Sequence, residues 1–107
     1  MKHVFRDKRM RKKMRKDCWG LDTAFLKWLY PRIKIYKEDA FKIIDGSFNK
    51  FTINGVTLTE EECVDKIIEL LTPIAESDFD LWDKHINPDD IHEAIDIFNK
   101  VLFSLWW

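Results

Sequence analysis

The densest chemistry in this sequence lies in residues 1–16, which carry nine Lys/Arg and one acid, Asp7, for a net charge of +8. Lys8, Arg9, Arg11, Lys12, Lys13, Arg15 and Lys16 form an almost unbroken basic run. Such a run can neutralise the phosphates of a nucleic acid and release their counterions. Binders that ignore sequence also interleave aromatic rings to stack bases, and this arm has only Phe5. A second candidate group follows at Trp19, Asp22, Lys27 and Arg32. An arginine presents a planar fork to phosphate or carboxylate, and Trp19, beside Gly20 and outside any helical stripe, can line a pocket. The bland alternative is an ion pair of Arg32 with Asp22 or another acid.

His85, His92 and Asp96 are the remaining groups of interest. His92 and Asp96 stand one helical turn apart, but no HExxH or other paired ligand spacing accompanies them, so no metal site is expected and the two read as an exposed i,i+4 pair. No cofactor is expected either: the sequence has no phosphate-binding glycine loop and no GxGxxG. Ser47, Ser77 and Ser104 lack a nucleophile context, and neither Cys18 nor Cys63 has a histidine close by. Nothing in the motifs supports catalysis.

The elements that must position these groups are mostly helical. Residues 2–16 lack Pro and Gly and read as a solvated helix or a flexible arm. Leu21, Phe25, Trp28, Leu29, Ile33 and Tyr36 recur at steps of three and four, one helical face, with Asp22 or Thr23 as cap and a kink or helix junction expected at Pro31. That pattern continues through Phe41 and Ile44 and stops at Asp45-Gly46. Phe51 and Ile53, then Asn54-Gly55, then Val56 and Leu58 spell a β-hairpin over about 50–59. Thr59-Glu60-Glu61-Glu62 is a capping box for a helix running to about Leu71, with Pro73 breaking or bending it. Residues 74–86 suggest a short helix around Phe79 and Trp82, and both Trp28 and Trp82 read as core. Asn87-Pro88-Asp89-Asp90 opens the last helix, with Ile91, Ala94, Ile95, Phe98, Val101, Leu102 and Leu105 on one face. The expected fold is therefore mainly α: a bundle of four to five helices with one hairpin, an arm at 1–16 and a single domain at 17–107.

The 107 residues include five Trp and eight Phe, enough large rings to fill one small core. Overall charge is only −1 because the arm is offset by the rest. Residues 17–107 carry nine Lys/Arg against eighteen acids, and residues 60–96 hold thirteen acids with only Lys66 and Lys84. A basic head on an acidic body can grip an external polyanion, or dock on the body of its own or a second copy. Two unpaired cysteines point to a reducing compartment, the cytoplasm. No apolar run is long enough to span a membrane and no secretory leader is evident. Trp106 and Trp107 would be costly to expose, and are expected to pack back on the domain or form a contact between copies of a homo-oligomer.

Three segments together resemble a family of small, uncharacterised proteins common in tailed-phage genomes. They are the basic arm leading into Trp19-Gly20-Leu21-Asp22, the Pro31-Arg32-Ile33 turn, and the C-terminal Phe98, Lys100, Leu105 and Trp106; Asp65-Lys66-Ile67-Ile68 matches a fourth block. The family's Gly/Pro-rich loop is replaced here by the Asn-Gly hairpin. The resemblance implies a phage setting, hence the host cytoplasm, and action by binding. The expected function is a non-enzymatic accessory or counter-defence protein that sequesters an anionic, nucleotide-like molecule at a subunit interface, with Trp19 stacking and Arg32 and the arm holding charge. Two alternatives stand beside it: an inhibitor of a host or defence protein acting through the acidic helical face, and a nucleic-acid-binding accessory protein acting through the arm.

Overall fold

The structure is a computed structural model that describes residues 8–106. The order of elements is α1 (Lys8–Asp17), a 3-10 turn (Cys18–Gly20), α2 (Leu21–Ala40), β1 (Lys50–Ile53), β2 (Val56–Thr59), α3 (Glu60–Glu76) and α4 (Pro88–Val101), with a closing 3-10 turn at Leu102–Ser104. The chain is mainly helical with one two-stranded antiparallel sheet. The packed body has three helices, α2, α3 and α4, rather than the four to five expected. The basic segment forms α1, whose main contact is with the 3-10 turn that follows it.

Helix α3 is the centre of the body. Its Cys63, Val64, Ile67, Leu71 and Ile74 are buried against Leu26, Leu29 and Ile33 of α2 and Ala94, Ile97 and Val101 of α4. Each buried side chain of this size contributes on the order of 1.5–3 kcal/mol. The capping box forms as the sequence predicts. The Glu62 backbone N–H donates to Thr59 Oγ1 at 3.1 Å, and the Thr59 N–H donates to Glu62 Oε1 at 3.0 Å. Asn87 caps α4 by accepting from the Asp89 N–H at 3.0 Å. The hairpin pairs Ile53 with Val56 and Lys50 with Thr59. Asn54 (φ 51°) and Gly55 (φ 81°) supply the two positive φ values that its tight turn requires. Phe51, Ile53 and Leu58 pack the sheet onto the core.

Both interior prolines leave their helices unbroken, so neither the helix junction offered at Pro31 nor the break offered at Pro73 forms. Helix α2 runs through Pro31, and α3 passes Leu71 and Pro73 to end at Glu76. A proline orphans the carbonyl four residues earlier. Here those residues are Lys27 and Glu69, and they and both prolines are exposed, so water can serve the freed carbonyls. Helix α2 in turn stops at Ala40 rather than at Asp45-Gly46.

The short helix expected within 74–86 is absent. Phe79 N–H donates to Ile74 O at 2.8 Å, with Asp78 and Phe79 at φ 54° and 59°, which ends α3 in a left-handed cap. Two Asx turns follow: Asp80 Oδ1 accepts from Trp82 N–H at 3.0 Å, and Asp83 Oδ1 from His85 N–H at 2.9 Å. These local bonds compete with helix and win. Trp82 consequently stands 95% exposed, and Trp28 53%, so neither is a core residue.

Candidate functional site

Helix α1 presents its cations on an exposed helix. All of its residues are exposed. Among the described residues, no salt bridge joins Lys8, Arg11, Lys12, Lys13, Arg15 or Lys16 to the rest of the fold. At 100° per residue, Lys8, Arg11, Lys12, Arg15 and Lys16 fall within an arc of roughly 140°, while Met10 and Met14 share another side. Gly20, at φ −145° and ψ 64°, departs from helical geometry just before α2.

The group Trp19, Asp22, Lys27 and Arg32 is not gathered within one chain. Asp22 and Arg32 are about 15 Å apart along α2, and Lys27 points roughly 140° away from each. Asp22 Oδ1 accepts from the Thr23 N–H at 2.8 Å, while the residue preceding α2 is Gly20 and offers no side-chain cap. The bridge between Asp22 and Arg32 does not form. The Arg32 guanidinium lies 4.7 Å from the centroid of the Trp28 ring, and its Nη1 donates to Trp28 O at 2.9 Å. Trp19 is 86% exposed.

One apolar cleft of about 450 Å³ opens between the start of α2 and α4. Phe25, Leu81, Ile86, Ile91 and Ile95 form its walls, with Asp22, His92 and Asp96 among its polar lining. The i,i+4 spacing of Ile91 and Ile95 behind the Asn-Pro cap signals the α4 wall in the sequence, but the opposite wall depends on tertiary packing. His92 and Asp96 are exposed, and no ion pair between them is present among the described residues. His85 instead meets Asp83, Nδ1 to Oδ1 at 3.0 Å. No group of three His, Cys, Asp or Glu among the described residues is arranged to hold a metal ion.

At the other end of the body, Glu60 is buried at the first turn of α3 and accepts a hydrogen bond from Tyr36 Oη at 3.2 Å. Burial, reinforced by the Glu60 charge and this hydrogen bond, pushes the Tyr36 hydroxyl up to about 12. Glu60 also lines a second cavity of about 460 Å³ with Ile43, Phe48 and Trp106. Trp106 is 77% exposed, so of the two expectations for it, packing back on the domain is not met and a contact between copies remains an expectation. Trp107 and residues 1–7 lie outside the described residues.

The two cysteines differ. Cys18 is exposed; Cys63 is buried, and its thiol is pushed up by burial and by the charges of Glu62 and Glu60, a setting for an inert core side chain. Among the described residues no helix is long and apolar enough to cross a membrane. Comparison with protein-family models, with curated proteins and with solved structures finds no match for this chain.

Proposed function

We propose that this chain is a non-enzymatic binding protein whose working element is α1, and that α1 binds the phosphate backbone of a nucleic acid. The observation that supports this reading is the set of five cations on one arc of an exposed helix, without salt bridges to the body. The acidic residues of 60–96 favour an orientation in which a polyanion meets α1 and stays clear of the body. In the phage setting that the sequence resemblance implies, such a protein serves as an accessory binder. Sequestration of a nucleotide-like molecule would need a second copy to bring Trp19 to Arg32, because one chain holds them apart.

The test is the salt dependence of binding to a B-form DNA duplex. With four to five phosphates contacted, log K should fall against log salt with a slope of about −4, an affinity loss of about 250-fold between 50 and 200 mM. A chain lacking residues 1–16 should not bind. A slope near zero, or undiminished binding by the truncated chain, would refute this function.

A further inference from the structure

Among the described residues, Glu60 is the one charged side chain that is buried, at 2% exposure. Taking a carboxylate out of water is costly unless a cation or a full set of donors replaces the solvent. Glu60 has neither. No salt bridge reaches it among the described residues, and its side-chain partner is the neutral Tyr36 hydroxyl on Oε1. Oε2 has no such partner there and is not sealed from the surface. Its opening is the cavity of about 460 Å³ that Glu60 lines. Capping does not account for the burial. Glu62 closes the capping box, and the helix dipole would serve Glu60 equally well from an exposed position, as it serves Glu61.

The lining of this cavity holds two carboxylates, Glu60 and Asp45, and no Lys, Arg or His. Around them Ile43 is 71% exposed, Phe48 81% and Trp106 77%, so its apolar walls are largely uncovered. Those walls are held in place. The Glu60 N–H donates to Asn49 O and the Glu61 N–H to Gly46 O, each at 3.0 Å, which fixes residues 46–49 against the start of α3. The Tyr36 hydroxyl that donates to Glu60 also lies 3.5 Å from Ser104 O, tying the C-terminal turn to the same carboxylate. We propose that this cavity binds a small organic ammonium, a protonated primary amine that carries an apolar or aromatic body. Its N–H donors meet Glu60 Oε2 and supply the positive charge that the buried carboxylate lacks. Its body covers Ile43, and the Phe48 and Trp106 rings take up apolar contact and attract the cation. This site is independent of nucleic-acid binding by α1, since an amine and a polyanion carry opposite charge, and either can fail alone.

Titration of the full, nitrogen-15-labelled chain with 2-phenylethylammonium chloride tests the site. The indole N–H signal of Trp106, identified by its loss in Trp106→Phe, should move with a dissociation constant of about 1 mM or tighter. The neutral isostere 2-phenylethanol should bind at least about tenfold more weakly. Glu60→Gln keeps the side-chain shape and an acceptor for Tyr36. It should weaken the ammonium at least about tenfold and leave the alcohol within about twofold, with the circular dichroism of the wild type. Phe48→Ala, at an exposed position, should keep the fold and weaken the ammonium about threefold. A Trp106 signal that stays still at about 20 mM probe overturns the proposal. So does an alcohol that binds as tightly as the ammonium, or a folded Glu60→Gln chain that binds the ammonium unchanged. Should Glu60→Gln lose its fold, unchanged ammonium binding by Phe48→Ala overturns it instead.

Discussion

Replacing Tyr36 with Phe should remove a pH-dependent part of the stability of this fold. The Tyr36 hydroxyl joins α2 to the first turn of α3 by donating to the buried Glu60 carboxylate at 3.2 Å. Burial comes first, then the Glu60 charge and hydrogen bond, in raising this hydroxyl from 10.0 to about 12. A group whose value is raised on folding favours the folded chain fully below its unfolded value, and that contribution is lost as pH climbs through the folded one. The window is therefore pH 10 to 12, and the size of the loss is about 2 kcal/mol after allowance for the partly solvated ring. At neutral pH, Tyr36→Phe leaves a buried carboxylate without this donor and should cost about 1.5–3 kcal/mol. Urea denaturation at steps from pH 7 to 12 measures both quantities. The wild-type advantage over Tyr36→Phe should be largest near neutrality and shrink through the window. Two curves that stay parallel from pH 9 to 12 would refute the coupling, and a variant as stable as wild type at pH 7 would refute the hydrogen bond's contribution.

The three glycines should respond differently to alanine, and denaturation of each variant checks them together. A Cβ on buried Gly46 would meet Phe41 Cδ1 at 2.8 Å and Glu61 Cβ at 2.9 Å, so Gly46→Ala should destabilise by about 1–3 kcal/mol through overpacking. Gly55→Ala meets no atom within 4 Å, but φ is +81°, so its cost of about 1 kcal/mol should come from the turn alone. Gly20→Ala has open space and an ordinary φ, and should stay within about 0.5 kcal/mol of wild type. Thr59→Ala should cost about 1 kcal/mol by removing the α3 cap, and Glu62→Gln, which keeps an acceptor for the Thr59 N–H, should cost less.

The sequence is most legible where a few adjacent residues determine the geometry. Asn54-Gly55 fixes the hairpin and its Ile53–Val56 register, and Thr59 with Glu62 fixes the start of α3, because each is a short-range arrangement of donors, acceptors and φ values. The prolines do not end their helices because their cost depends on which side of the helix they occupy. Pro31 and Pro73 both face solvent, and that side is decided by α3 and α4 rather than by neighbours in sequence. The stretch 77–86 misleads for the opposite reason. Phe79 and Trp82 imitate a helical step, while Asp80 and Asp83 draw the backbone into Asx turns that a count of apolar spacing does not weigh.

The candidate site divides along the same line. Basic residues packed into one short helix act as a unit wherever that helix points, so composition alone identifies α1 as a charged element. Arg32 and Trp19 could act as a unit only if the chain folded back between them, and α2 runs as one unbroken helix from Leu21 to Ala40. The same rigidity gives α2 its second face. A helix built from steps of three and four over its whole length carries more apolar arc than two neighbours can cover. Periodicity reports that arc without showing how much of it is left over. Only the packing of α3 and α4 against Leu26, Leu29 and Ile33 separates the half that makes the core from Leu21, Trp28 and Ile35, which remain exposed.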